Sequence, residues 1–480
     1  MRRSRFYGRR TKIVCTIGPA TGSAAVIEQL IKAGMNVARF NLSHGTYKEH
    51  TRYIQTIKKS SQRIGANVAI LIDIPGPKYR TGKLKDGRAS LKKGAKLVLT
   101  TRQIEGNATL VSVNLPSLPQ DVKPGDTILL DDGALQLKVL GKESTEIKCR
   151  VIIGGLLIEG RGLVVPGMHT STPFVTDILQ ENILFAIKQK PDYLALSFVK
   201  SAEDISKTRE ILQQKGCDTP IIAKIEQGQA VVNFDNILAV SDGIMVARGD
   251  LGVDIPLQRI PIVQKQIIKK CNRAGKPVIT ATQMLESMIT SYRPTRAEVT
   301  DVANAILDGT DTIMLSAETS VGKYPVEAVR IMTHIARETE AQIPYENILI
   351  ERNNWLQSQT DELISYNACH TANRLGAAAI VAFTESGSTA QRVSKYRPRT
   401  PILAITTSKG VVARLQLCWG VQSFWIDRPS SVGELFTTAA SLCKDLGLAK
   451  PGELIVITGG IPIGVRGSTN LLKVEMLPRT

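Results

Sequence analysis

Eight short runs of apolar, largely β-branched residues recur along the first two thirds of the chain. They are Lys12–Ile17, Val37–Leu42, Val68–Asp73, Tyr193–Phe198, Ile221–Glu226, Gly243–Arg248, Pro277–Thr282 and Thr312–Ala317. Each is nearly continuously apolar, as strands buried on both faces of a parallel sheet must be. Amphipathic stretches of helical length separate most of them, such as SAAVIEQLIKAG and TRAEVTDVANAILDG. The second opens on Pro294–Thr295 and closes on Gly309, sound start and stop signals. Eight strand–helix repeats predict an α/β fold, a (β/α)8 barrel of the TIM type.

The rhythm breaks twice. After Pro75–Gly76–Pro77 come Gly–Lys turns and short alternating strands (LVLTT, TILLDDGALQLKVL, TEIKCRVII), ending near Pro166–Gly167. This reads as an all-β lid domain inserted after the third barrel strand. After about Pro344 a second strand–helix rhythm starts, with AAIVAFT, PILAITT, VQSFWID and LIVITGG, and predicts a C-terminal α/β domain. The expected division is residues 1–76 and 167–344 for the barrel, 77–166 for the lid and 345–480 for the C-terminal domain.

Composition narrows the function. No apolar run approaches the roughly 18 residues that cross a bilayer. The basic start MRRSRFYGRR leads into TKIVCTIGPATG and not into a signal-peptide apolar stretch, so a soluble cytoplasmic protein without a membrane partner is expected. Seven scattered cysteines without a CxxC pair read as reduced core thiols. The net charge of +18 raises nucleic acid as a partner. Against it, the basic residues are dispersed, and aromatics, only 5% of residues, are too sparse for base stacking. A small phosphorylated substrate accounts for the charge as well.

In a barrel, chemistry gathers at the C-terminal ends of the strands. Those ends carry Arg39, Asn41, Ser43 and His44 (strand two), Asp73 (three), Lys224 and Glu226 (five), Arg248 and Asp250 (six), Thr282 (seven), and Ser316 and Glu318 (eight). So many polar groups in a core would be costly; converging on one mouth they form a site. Glu226 and Asp250 are hard oxygen ligands on neighbouring strands, suited to Mg2+ or Mn2+. Arg39 and Lys224 supply the fixed positive charge that a phosphoryl group in transfer or an enolate requires. Gly249 lets backbone approach a ligand closely. Arg248–Gly249–Asp250 is also an adhesion tripeptide, but a buried strand precedes it in a chain without export signals.

At these residues the chain resembles pyruvate kinase. The segments that carry the likeness are TKIVCTIGPA, NVARFNLSHG, IIAKIEQGQAV, MVARGDLGVDIP, ITATQMLESMI, PTRAEVTDVANAILDGTDTIMLSAETSVGKYP and the late GSTN, from about Thr11 to the C-terminus. The resemblance implies phosphoryl transfer from phosphoenolpyruvate to ADP, giving pyruvate and ATP, in a homotetramer of glycolysis. It implies that Glu226 and Asp250 hold the divalent metal, and that Arg39 and Lys224 hold the phosphoryl group, with Lys224 also facing the enolate oxygen. Ala247, Gly249, Asp250 and Thr282 match the carboxylate pocket. Thr282 lies near the face where the enolate gains its proton, with Ser316 and Glu318 in a relay through water. Pro19, Asn41, His44, Arg80 and Arg161 match nucleotide contacts, and Asp131–Gly133 matches the lid tip that closes over the site.

Asn41, Ser43, Asp73 and the carbonyl of Ile74 match the family's K+ cage. Lys78, where many members have glutamate, resembles the branch in which an ammonium replaces K+, so K+ is expected to be dispensable. Thr81 departs from the purest form of that branch. Arg161 stands where lysine is usual. No phosphohistidine-type domain is expected after the C-terminal domain. Thr384, Ser386, Gly387, Ser388 and Thr389 precede a helix as an anion cradle, where the family's allosteric phosphate site lies with the loop GIPIGVRGSTN; a sugar phosphate or a nucleotide is the expected effector, and an ordinary helix cap is the plain alternative. Two rival functions remain at this stage: a Schiff-base aldolase using Lys224, and an RNA-binding protein using the charge.

Overall fold

The computed structural model describes residues 8–168, 170–464 and 467–479. Eight parallel strands, Lys12–Thr16, Val37–Asn41, Ala69–Ile74, Tyr193–Leu196, Ile221–Ile225, Gly243–Ala247, Val278–Ala281 and Thr312–Leu315, close into a barrel in which each neighbours the next in sequence and the eighth pairs with the first. Their side chains are buried almost without exception, which explains the unbroken apolar runs. The helices between them present one apolar stripe to the strands. Helix Arg296–Leu307 begins at a capping box in which Glu298 N donates to Thr295 Oγ1 (3.2 Å) and Thr295 N donates to Glu298 Oε2 (2.7 Å), an arrangement worth about 1 kcal/mol.

The lid leaves the barrel after the third strand. Its seven-stranded sheet includes Tyr79–Arg80, Gly162–Val164, Thr127–Leu130, Leu135–Lys142 and Glu146–Ile153, and it encloses its own apolar core. Gly76 is required at the exit. A Cβ there would lie 2.3 Å from the carbonyl oxygen of Ser197, at the end of the fourth strand. A knot of hydroxyls ties the two connecting segments together: Tyr79 Oη lies 2.7 Å from Asp121 Oδ2 and 2.8 Å from both Ser117 Oγ and Thr170 Oγ1.

The C-terminal domain has the strand order Val421–Trp425, Ile402–Thr406, Ala379–Phe383, Leu454–Gly459, all parallel, with Leu471–Met476 antiparallel at the edge. That edge strand does not stand out in the sequence. Six of the seven cysteines are buried and all are free. No helix among the described residues is long and apolar enough to cross a membrane.

Candidate active site

The register of the strands sets the geometry. Asn41 lies opposite Asp73, and Ala247 opposite Ala281, so the residues just beyond these pairs open onto one mouth. Asp73 is fully buried. Its Oδ2 accepts from Arg39 Nε (2.8 Å), and its Oδ1 from Ser197 Oγ (3.1 Å) and Lys224 Nζ (3.2 Å). Lys224 Nζ also donates to Ser197 Oγ at 2.6 Å and pairs with Glu226 Oε1 at 2.8 Å. Thr16 Oγ1 accepts from Arg39 at 2.8 Å. The result is a buried chain of alternating charge, Arg39–Asp73–Lys224–Glu226, held by two hydroxyls.

The charges tune one another. Burial disfavours charge on Asp73, yet Lys224 and Arg39 outweigh it and hold the carboxyl below its ordinary value. Burial likewise opposes charge on Lys224, but Asp73 and Glu226 raise its pKa above that of an ordinary lysine. Glu226 goes the other way: burial first, and the nearby Asp250 carboxylate, push it up against the pull of Lys224.

The sixth strand ends at Ala247, and Arg248–Asp254 continues at once as a short helix. The charged residues begin where the apolar strand ends. Arg248 braces the structure: it pairs with Asp301 at 2.7 Å and donates to the carbonyl of Thr282 at 2.7 Å. Gly249 N donates to Thr282 Oγ1 at 2.8 Å. A Cβ on Gly249 would meet only ordinary contacts, the nearest at 3.6 Å, so nothing within the protein itself demands glycine there. Thr282 sits at φ 71 and Gln283 at φ 54. A β-branched residue in that region is strained, a kind of strain that clusters at functional sites.

Asp250 Oδ1 takes the Lys78 ammonium at 2.5 Å, with the ammonium 5.4 Å from the centre of the Phe198 ring. Lys78 therefore lies inside the mouth and reaches Asp250, while the oxygens of Asp73 are engaged by Arg39, Lys224 and Ser197. Asn41 Oδ1 accepts from Ser43 N at 3.1 Å, and the Ile74 carbonyl accepts from Ser197 N at 3.1 Å. His44 is exposed beside the mouth, its pKa lowered by partial burial and then by Arg80 and Arg39, which places Arg80 on the same side. Pro19 is exposed at the start of a 3-10 turn. Arg161 pairs with Asp131 of the lid tip at 3.3 Å, and Arg80 donates to the Gly160 carbonyl at 3.0 Å. Ser316 Oγ is buried without a partner. Both Glu318 oxygens accept from backbone amides, those of Ser316 (2.7 Å) and Leu285 (3.1 Å), which ties Glu318 into the loop.

Ser197, Thr16 and Phe198, whose amide donates to Glu226 Oε2 at 2.7 Å, are site residues absent from the reading of the sequence. A signal existed for Ser197: it is the one polar residue in YLALSF, at the level where the other strands carry functional groups. Among the described residues no group of three or more histidine, cysteine, aspartate or glutamate side chains could hold a metal.

Residues 384, 386, 388 and 389 line a separate cavity in the C-terminal domain with Thr406, Thr407 and Ser468. Gly387 adopts φ 97 ahead of helix Ser388–Lys395, and its amide donates to Thr384 Oγ1 at 2.8 Å. In the neighbouring loop GIPIGVRGSTN, Val465 and Arg466 lie outside the described residues.

The family models for the pyruvate kinase barrel domain and the pyruvate kinase alpha/beta domain match residues 8–329 and 362–475. A pyruvate kinase of Geobacillus stearothermophilus is 48% identical over 98% of this chain and 80% of its own length. One from Staphylococcus aureus is 44% identical over the same shares. The crystal structure of a pyruvate kinase from Cryptosporidium parvum superposes with a TM-score of 0.93 at 38% identity, covering 99% of this chain and 97% of that one. These matches support phosphoryl transfer over the aldolase reading, and the raised pKa of Lys224 agrees, because a Schiff-base lysine needs a neutral amine. The chain belongs to the pyruvate kinase family, phosphotransferases that move the phosphoryl group of phosphoenolpyruvate to ADP and release pyruvate and ATP.

Proposed function

We propose that the buried chain Arg39–Asp73–Lys224–Glu226 is the phosphoryl-transfer site, and that Arg39 and Lys224 grip the phosphoryl group of phosphoenolpyruvate. The observation that carries this is a lysine kept cationic by two buried carboxylates at the end of a barrel strand. The bond from phosphorus to the enol oxygen breaks as the terminal oxygen of ADP bonds to phosphorus, and the electron pair stays on the enolate. The Lys224 ammonium faces that developing charge. The backbone of Ala247, Gly249 and Asp250 and the Thr282 side chain hold the substrate carboxylate, and the open side of Gly249 leaves room for it. The proton arrives at the methylene carbon from the Thr282 side, where the unpartnered Ser316 Oγ can hold a water. Glu318 is a positioning residue.

Glu226 and Asp250 would hold Mg2+ or Mn2+. Hard carboxylate oxygens suit these ions, and a bound cation would offset both the burial and the repulsion from Asp250 that push Glu226 upward. Such an ion supplies charge neutralisation for the phosphoryl and enolate oxygens. Lys78 supplies the further positive charge that the Asn41, Ser43, Asp73 and Ile74 group would otherwise take from K+. Pro19, Asn41, His44, Arg80 and Arg161 receive the nucleotide once Arg161 leaves Asp131 and the lid closes. The cradle Thr384–Thr389 accepts the phosphate of a sugar-phosphate or nucleotide effector. Tetrameric assembly in the cytoplasm completes the reading.

Replacing Lys224 by methionine tests it. Turnover should fall by about 10³-fold or more, the scale of losing a transition-state charge clamp, while exchange of the methyl protons of pyruvate persists. Exchange that disappears in proportion to transfer would make Lys224 the proton donor too and overturn the division of roles.

A further inference from the structure

The lid carries a concentration of exposed apolar side chains that its own core does not use. Ile152, Ile153, Leu156 and Ile158 are 36% to 52% exposed. Strand Gly155–Ile158 pairs with Arg88–Leu91 as a two-stranded ribbon, in which Leu156 lies opposite Ser90 and Ile158 opposite Arg88. Ala89, Leu91 and Leu157 are buried in the lid core, so the alternation of the ribbon turns Leu156 and Ile158 outward. The crossover from strand Glu146–Ile153 into the ribbon lies against the turn Lys92–Gly94. Gly94 N donates to the Val151 carbonyl at 2.8 Å. A Cβ on Gly154 would sit 2.3 Å from the Leu91 carbonyl oxygen and 2.9 Å from Lys93 N.

Basic residues surround this patch. Lys92 and Lys93 are exposed in the turn, and Arg88 on the ribbon. On the adjoining sheet Arg150 stands directly across from Lys96 on one neighbouring strand and from Lys138 on the other, all three exposed. Like charges opposite one another on a sheet face are destabilising. None of these basic residues has an ion pair among the described residues, and the acids of the same sheet, Glu143 and Glu146, are engaged by Lys148 and Arg102. Apolar area and positive charge thus sit side by side, and the lid supplies a counterpart to neither.

We propose that this face of the lid docks on the surface of a bilayer containing anionic lipid. The aliphatic side chains enter the headgroup layer, and the surrounding lysines and arginines meet the lipid phosphates and carboxylates. Charge complementarity selects this occupant. A second copy of the chain would bring the same positive charge. A nucleic acid would find no ring to stack on, because Tyr79, the one aromatic residue of 77–166, is buried in the hydroxyl knot. Exposed aliphatic groups ringed by basic residues suit the boundary between headgroups and acyl chains. The sequence suggested no membrane partner because no run is long enough to cross one, but lying on a surface requires no crossing. None of these residues belongs to the phosphoryl-transfer site or to the Thr384–Thr389 cradle.

Cosedimentation of the full chain with vesicles tests this, using phosphatidylcholine mixed with phosphatidylserine and phosphatidylcholine alone. The protein should partition onto the anionic vesicles and not onto the neutral ones. The partition coefficient should fall about tenfold or more as salt rises from about 0.1 M to about 0.5 M. Lys92→Glu combined with Lys93→Glu should lower it about twentyfold or more, and Ile153→Ser combined with Leu156→Ser about fivefold or more. The same charge removed elsewhere, by Lys215→Glu with Lys450→Glu, should change it less than about twofold, because those sites lie outside the contact. Turnover without vesicles should match the parent in all three variants, a check on folding. No partitioning onto anionic vesicles, an equal loss in the distant pair, or full affinity in the aliphatic pair would overturn the proposal. Polyuridylate bound as tightly as the vesicles, with the aliphatic pair unaffected, would make the face a nucleic-acid site and overturn it as well.

Discussion

Asp250 is contested by two cations. The Lys78 ammonium holds one of its oxygens at 2.5 Å, and the divalent ion proposed at Glu226 and Asp250 needs the same carboxylate. The two are compatible only if Asp250 keeps its charge, so Asp250→Asn should abolish most Mg2+-dependent turnover while thermal unfolding stays near that of the parent. Near-normal turnover with unchanged Mg2+ dependence would remove Asp250 from the ligand set. The position of Lys78 bears on K+ in the same way. An ammonium inside the mouth repels a second monovalent cation at short range, and the Asp73 oxygens are already taken. Substantial activity is expected with tetramethylammonium as the only monovalent cation, and dependence on K+ should emerge in Lys78→Glu. Strong activation of the parent by K+ at constant ionic strength would sink the idea. Arg39, Lys224 and Glu226 were legible in the sequence because a charge inside an apolar strand needs a reason. Ser197 and Thr16 were not, because a small hydroxyl in a strand costs little and draws no notice. The Lys78–Asp250 contact could not be read at all, since it joins residues 172 positions apart through the lid hinge.

At the level of elements, the barrel strands were plain because burial on both faces writes an unbroken apolar run. The helix Arg248–Asp254 was hidden by Gly249 and Gly252, since glycine is a poor helix former; tertiary brackets such as Arg248 to Asp301 hold it in place of propensity. The edge strand Leu471–Met476 was hidden for another reason. Its residues are half-buried or exposed, so the alternation that marks a strand is weak. The lid exit shows how an element's end can govern a site. With the carbonyl of Ser197 pressed against Gly76, and Ser197 Oγ bonded to both Lys224 and Asp73, any added atom at Gly76 displaces the group that positions Lys224. Gly76→Ala should cost about 1–3 kcal/mol in stability, as overpacking does, and lower kcat more than it raises KM. Unchanged melting temperature and turnover in this variant would mean that the exit segment shifts freely and does not set the position of Ser197.

Across the whole molecule, the end of the barrel opposite the mouth is an interface for the C-terminal domain, and its polar groups serve stability, as expected of that face. Tyr193 Oη donates to the Arg414 carbonyl at 2.7 Å, Thr312 Oγ1 to that of Leu417 at 3.0 Å, and Lys12 Nζ to that of Val421 at 2.6 Å. Lys12 has no ion pair among the described residues, and its pKa is pushed down to about 8, chiefly by burial and then by repulsion from Arg9. In the unfolded chain it titrates near the ordinary lysine value of 10.5. Between those values the folded protein binds fewer protons than the unfolded one, so the contribution of Lys12 to stability grows as pH rises from 8 towards 10.5 and is lost as pH falls through 8. At about 1.4 kcal/mol per unit, the parent should gain about 2 kcal/mol relative to Lys12→Met between pH 8 and pH 10. Other titrating groups cancel in that difference. Urea unfolding of both proteins at the two pH values measures it, and an equal difference at both would show that Lys12 is not buried as a strained cation at this interface.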